Sequence, residues 1–87
     1  MDKKEILLEA AELLAEYNLL VLGNSPNYSD QLALINSSKA LTLVLGCIEH
    51  TSDTALDIAA DYCYDASHKH GNEKINGAIR AINKLRP

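Results

Sequence analysis

The chain has 87 residues, a net charge of −4 and a pI near 5.2, with 47% hydrophobic and 23% charged residues. That length suits one domain over residues 1–87, able to hide about 60 to 65% of the unfolded chain's surface, and the balance of apolar and charged residues excludes intrinsic disorder. The acidic excess argues against direct nucleic-acid binding, which leaves a basic footprint on a sequence.

The apolar fraction points to helices. There are 14 Leu, 11 Ala and 7 Ile against 2 Val and 3 Thr, with no Phe or Trp. Leu and Ala lose little side-chain freedom in a helix, whereas the β-branched and aromatic residues that suit strands are scarce. No uninterrupted apolar run approaches the roughly 18 to 20 residues of a membrane span. The opening Met1-Asp2-Lys3-Lys4-Glu5 leads into an amphipathic stretch instead of a signal-peptide core. A cytoplasmic location with no membrane contact is therefore expected. Cys47 and Cys63 fall on apolar helical faces, where free thiols act as small hydrophobes.

The first element runs from about Lys3 to Leu22, because Ile6, Ala10, Leu13, Leu14, Tyr17, Leu20 and Val21 recur at intervals of three and four. Gly23 offers a left-handed closure and Pro26 a stop. A second helix follows, capped by Ser25-Pro26 or by Ser29, and reaches about His50 with Leu34, Ser37, Ala40, Leu41, Val44, Leu45 and Ile48 on its inner stripe. Asn36, Ser37 and Ser38 compete for backbone hydrogen bonds and could break it. The alternative there is an α+β fold, with a hairpin around residues 31–45 turning at Ser37-Ser38.

Thr51 or Ser52 caps a third helix whose inner face is Ala55, Ile58, Ala59, Tyr62, Cys63 and Ala66, and which ends in Ser67-His68-Lys69-His70-Gly71. Asn72 caps a fourth, with Ile75, Ala78, Ile79, Ile82 and Leu85 at helical spacing. Short connections favour antiparallel neighbours. The expected fold is all-α: a compact antiparallel four-helix arrangement of two helical hairpins.

The most distinctive pattern is the placement of carboxylates. Glu5, Glu9, Glu12 and Glu16 are spaced to share a strip about 60° wide on helix one. Asp53, Asp57, Asp61 and Asp65 form a second line on helix three, and the two lines hold 8 of the 12 acidic residues. Like charges four apart destabilise a helix by about 0.2 to 0.5 kcal/mol per pair. Uniform sign is thus explained by simple solvation opposite the apolar stripes, by a basic partner, or by helix four's own Lys74, Arg80 and Lys84. Tyr64 lies near the acidic side of helix three, and aromatic rings beside charge are common at interfaces.

Other chemistries lack their residues. Cys47, His50, Cys63, His68 and His70 match no standard zinc spacing, and no Glu-x-x-His pair exists for a di-metal centre. The four glycines are scattered, without a Gly-Lys-Ser/Thr sequence to cradle phosphate. No catalytic residue, metal or cofactor is expected, and the chain reads as a non-enzymatic protein. The expectation is a protein-interaction module of adaptor or inhibitor type, and a homo-oligomer. It would dock a basic protein surface through Glu5, Glu9, Glu12, Glu16, Asp53, Asp57, Asp61, Tyr64 and Asp65. The alternative is a small helix-turn-helix-like DNA-binding regulator using helix 73–85, with Lys74, Asn76, Arg80, Asn83, Lys84 and Arg86 as contacts.

Overall fold

The computed structural model describes residues 2–24 and 27–86. Four helices follow in order: α1 (Lys3–Leu22), α2 (Tyr28–Glu49), α3 (Asp53–Lys69) and α4 (Glu73–Leu85). Each begins on a side chain that accepts from its own first turn, where backbone N–H groups lack helical partners. Asp2 accepts from the Glu5 N–H at 2.8 Å, Ser52 from Ala55 at 3.2 Å, and Asn72 from Lys74 and Ile75 at 2.9 and 3.1 Å.

For α2 the cap is Asn27, which with Asp30 makes a reciprocal capping box. Ser29 is already inside the first turn, and the expected Ser25-Pro26 cap lies outside the described residues. Thr51 does not cap α3. Its hydroxyl instead donates to the Cys47 carbonyl, 3.1 Å away, closing the end of α2.

Two local expectations are corrected. Gly23 ends α1 with φ −72°, not in the left-handed region, and its N–H reaches back to the Leu19 carbonyl at 3.0 Å. The adjacent Asn24 side-chain amide donates to the Leu20 carbonyl at 2.9 Å and its backbone N–H to the Val21 carbonyl at 3.3 Å, so these acceptors are satisfied without a left-handed residue. Secondly, α2 runs unbroken through Asn36, Ser37 and Ser38, and among the described residues there is no strand near 31–45. The helix continues although Ser37 does reach its own preceding turn, because both serine hydroxyls also engage Asn18 of α1. The Ser37 hydroxyl donates to the side-chain oxygen of Asn18 on α1, with the Leu34 carbonyl as its second acceptor at 3.1 Å, and the Asn18 amide reaches the Ser38 hydroxyl at 3.4 Å.

The helices close in ring order. α1 packs on α2 and α4, and α3 packs on the other side of the same two helices. The molecule measures 36 × 20 × 18 Å, and its long axis is about the length of one 22-residue helix at 1.5 Å per residue. All four helices therefore lie along one direction, as in an antiparallel bundle.

The core is uneven in a way that rotates two of the expected stripes. Large buried side chains come mainly from α1 (Leu7, Leu14, Tyr17) and α4 (Ile75, Ile82), whereas α2 and α3 contribute Ala33, Ser37, Ala40, Cys47, Ala59, Ala60, Cys63 and Ala66. Small residues let backbones approach, and the bulkier neighbours are left at the flanks. Leu34, Leu41 and Ile48 only edge the core, and Leu45, expected inside, is 50% exposed. On α3, Leu56 and Ala60 take the buried places, while Ile58 points outward and Tyr62 sits at the rim. On α1, Leu7 and Ala11 are inside and Leu20 outside, and Leu8, Leu19 and Leu22 are all exposed.

α2 also corrects the reading of apolar runs. Its polar residues are mostly Asn, Ser and Thr, so a stretch of mean hydropathy 1.4 extends along it, and by length and composition alone it is long and apolar enough to cross a membrane. Only 28% of that stretch is buried in the bundle.

Candidate docking site on the carboxylate lines

The line on α1 faces α4. At their crossing Gly77 leaves room for Leu13, since a β-carbon at that position would come within 3.1 Å of a Leu13 methyl. This close approach brings Lys74 Nζ to 2.7 Å from Glu16 Oε2. The hydrogen bond and charge of Glu16 raise the Lys74 pKa against the opposing effect of desolvation, and Glu12 and Glu73 add to the rise. Further along, Glu9 shares with Lys74, Arg80 and Lys84 a groove of about 590 Å³ between α1 and α4. Much of the negative line on α1 is thus set against cations of its own chain.

The line on α3 is arranged differently. Asp53, Asp57, Asp61 and Asp65 are all exposed. Asp53 sits in the first turn, where a carboxylate is favoured by the helix dipole. Asp57 Oδ1 accepts from Arg86 Nε at 2.8 Å; Arg86 also donates to Asn83, and the Asn83 amide donates to the Tyr64 hydroxyl at 3.2 Å. That chain of contacts ties one side of α3 to the end of α4. Asp61 and Asp65, a turn and two turns beyond Asp57, face no Lys, Arg or His within 4.0 Å among the described residues. Beside them Tyr64 and Ile58 are 41% and 42% exposed.

Sequence reasoning missed the polar cluster at the other end of the bundle. Tyr17 has no exposed surface, and its hydroxyl donates to the His70 carbonyl at 2.6 Å, with the Ala66 carbonyl 3.4 Å away. It supplies a donor where the last turn of α3 has run out of them. The ring meets the His70 imidazole edge-on at 6.1 Å, and His70 Nδ1–H donates to Asp30 Oδ1 at 2.8 Å. Burial, then the charges of Asp30 and Cys63, push the Tyr17 phenol up to about 12. No local spacing announces this site, because its members lie 40 and 53 residues apart.

The tyrosine hydroxyl goes to a backbone carbonyl and not to the imidazole, so the cluster ties three elements together without forming a proton relay. Cys47 and Cys63 are buried free thiols. Burial raises the Cys63 thiol to about 12, which leaves it protonated near neutrality and a poor nucleophile. Among the described residues no three His, Cys, Asp or Glu side chains converge on one point.

Comparison with protein families, curated proteins and solved structures returns no match. The surface must be read from its own chemistry. For the helix 73–85 alternative that chemistry is adverse: Lys74, Asn83 and Arg86 are engaged by Glu16, Tyr64 and Asp57. Asn76, Arg80 and Lys84 remain, in a groove shared with Glu9.

Proposed function

We propose that the chain is a non-enzymatic protein-interaction module of adaptor or inhibitor type, acting in the cytoplasm and docking the basic surface of a protein partner on α3. The observation that carries this reading is the contrast between the two carboxylate lines. Glu9, Glu12 and Glu16 stand close to the cations of α4, whereas Asp61 and Asp65 project from α3 beside Tyr64 and Ile58 and, among the described residues, pair with no Lys, Arg or His within 4.0 Å. Repulsion between aspartates four apart, and the poor helix propensity of Asp, weaken α3; Asp53 and Asp57 offset part of that through the helix dipole and Arg86, whereas Asp61 and Asp65 have no ion pair within 4.0 Å among the described residues. An incoming Lys or Arg surface would relieve that repulsion, steer encounter and exclude acidic competitors. The line on α1 would act at the margin of the contact, because its charge is partly compensated.

The test is capture from native-host extract on immobilised protein, followed by mass spectrometry. The wild type is expected to retain a basic protein that elutes as salt is raised. The double reversal Asp61→Lys/Asp65→Lys is expected to lose it while keeping the helical circular-dichroism spectrum. Equal capture by the two proteins would discard the α3 face.

A further inference from the structure

We propose that the outward face of α2 is covered by the same face of a second copy of this chain, with the two helices antiparallel, Lys39 opposite Glu49 of the second copy and Gly46 near the crossing.

For a chain of net charge −4, self-association is least opposed electrostatically where the excess negative charge is absent. Between Tyr28 and Glu49 only Asp30, Lys39 and Glu49 carry charge, and Asp30 is turned to His70. The outward strip therefore carries one cation and one anion, ten residues and about 15 Å apart; Lys39 Nζ lies 5.5 Å from the centroid of the Tyr62 ring at the edge of the α2–α3 groove, and it leaves that ring to pair with a second copy. Lys39 and Glu49 lie symmetrically about Val44, as do Thr42 and Gly46 on the same strip. A twofold axis there pairs each lysine with the other copy's glutamate. That is the self-complementarity an isologous interface requires.

Gly46 is an independent sign. A glycine inside a helix costs about 1 kcal/mol relative to alanine, yet a β-carbon at Gly46 would meet nothing within 4 Å. No contact inside the chain asks for a missing side chain at that position. A second helix crossing there would.

The flanks are apolar and exposed. Ile35 and Leu45 are each 50% exposed, and a groove of about 310 Å³ opens between α2 and α3 beside Leu43, Ile58 and Tyr62. The symmetry brings the two Leu45 side chains together on one flank and closes the two grooves over each other on the other. A lipid surface fits less well: interfacial helices concentrate Lys and Arg, and an acidic chain is repelled by anionic headgroups.

Light scattering on the full-length chain at micromolar concentration decides the matter. The wild type is expected at twice 9.5 kDa, Lys39→Glu as a monomer, and Lys39→Glu/Glu49→Lys as a dimer again. Gly46→Gln improves helix propensity and clashes with nothing in the chain, so it is expected to be monomeric with its helical spectrum intact. A monomeric wild type overturns the proposal, including one that floats with phosphatidylcholine vesicles. So does a dimer that survives both Lys39→Glu and Gly46→Gln. The α3 proposal fails or stands separately, since Asp61→Lys/Asp65→Lys is expected to leave the dimer unchanged.

Discussion

Tyr17 is the largest side chain with no exposed surface, and it does two jobs at once. Its ring is fully buried against His70 at one end of the bundle, and its hydroxyl donates to carbonyls at the end of α3. Tyr17→Phe keeps the ring and strands the acceptors, so it is expected to cost about 1–3 kcal/mol in urea unfolding without loss of helix content. The same residue sets an alkaline limit. The Tyr17 phenol and the Cys63 thiol each titrate near 12 in the folded chain, above their ordinary values of 10.0 and 9.0. The folded state thus holds these two protons more tightly than the unfolded state does. The stability they lend is complete below about pH 9 and drains away as the pH rises toward 12. Unfolding midpoints measured across that range should fall for the wild type and fall less for Tyr17→Phe/Cys63→Ala; equal slopes would show that neither group matters. The sequence marks Tyr17 as a core residue by its spacing on α1. It gives no hint of His70 and Asp30 beside it, because that contact forms only when the bundle closes.

α2 shows most clearly what periodicity reveals and what it misses. Its helical character, its approximate limits and the inward positions Ser37, Ala40 and Val44 are all visible in the spacing of its residues. The rotation that turns Leu45 outward and Ala33 and Cys47 inward is not, because it depends on how closely α3 approaches through Ala59, Ala60 and Cys63. The suspected break at Asn36-Ser37-Ser38 followed from treating serine as a competitor for its own backbone. Asn18 on α1 instead takes up these hydroxyls and fixes the register of α1 against α2. A double-mutant cycle on Asn18→Ala and Ser37→Ala is expected to give a coupling of roughly 0.5–3 kcal/mol. Additive effects would mean that the two helices are aligned by packing alone.

At the scale of the whole molecule, ring closure decides what the carboxylate lines are for. Both lines are plain in the sequence, as is the possibility that helix four answers one of them. Which line it answers depends on the order of the helices around the bundle. With α4 against α1, Lys74 meets Glu16, and the polar contacts from the far end of α4 to α3 run through Arg86 and Asn83. Asp61 and Asp65 are left outward as a consequence of topology, with Ile58 and Tyr64 beside them. The acidic docking face and the nearly uncharged α2 face then lie on adjacent sides of the bundle and meet at Ile58, which borders both.

The adjacency of α1 and α4 underlies this division and is open to direct measurement. A nuclear Overhauser spectrum of the folded chain should show strong cross-peaks between the Leu13 methyls and the Gly77 α-protons, which the 3.1 Å clearance at that crossing requires. Leu13 methyls that contact α3 residues and give no signal to Gly77 would contradict the ring order, and with it the assignment of α3 as the face left for a partner.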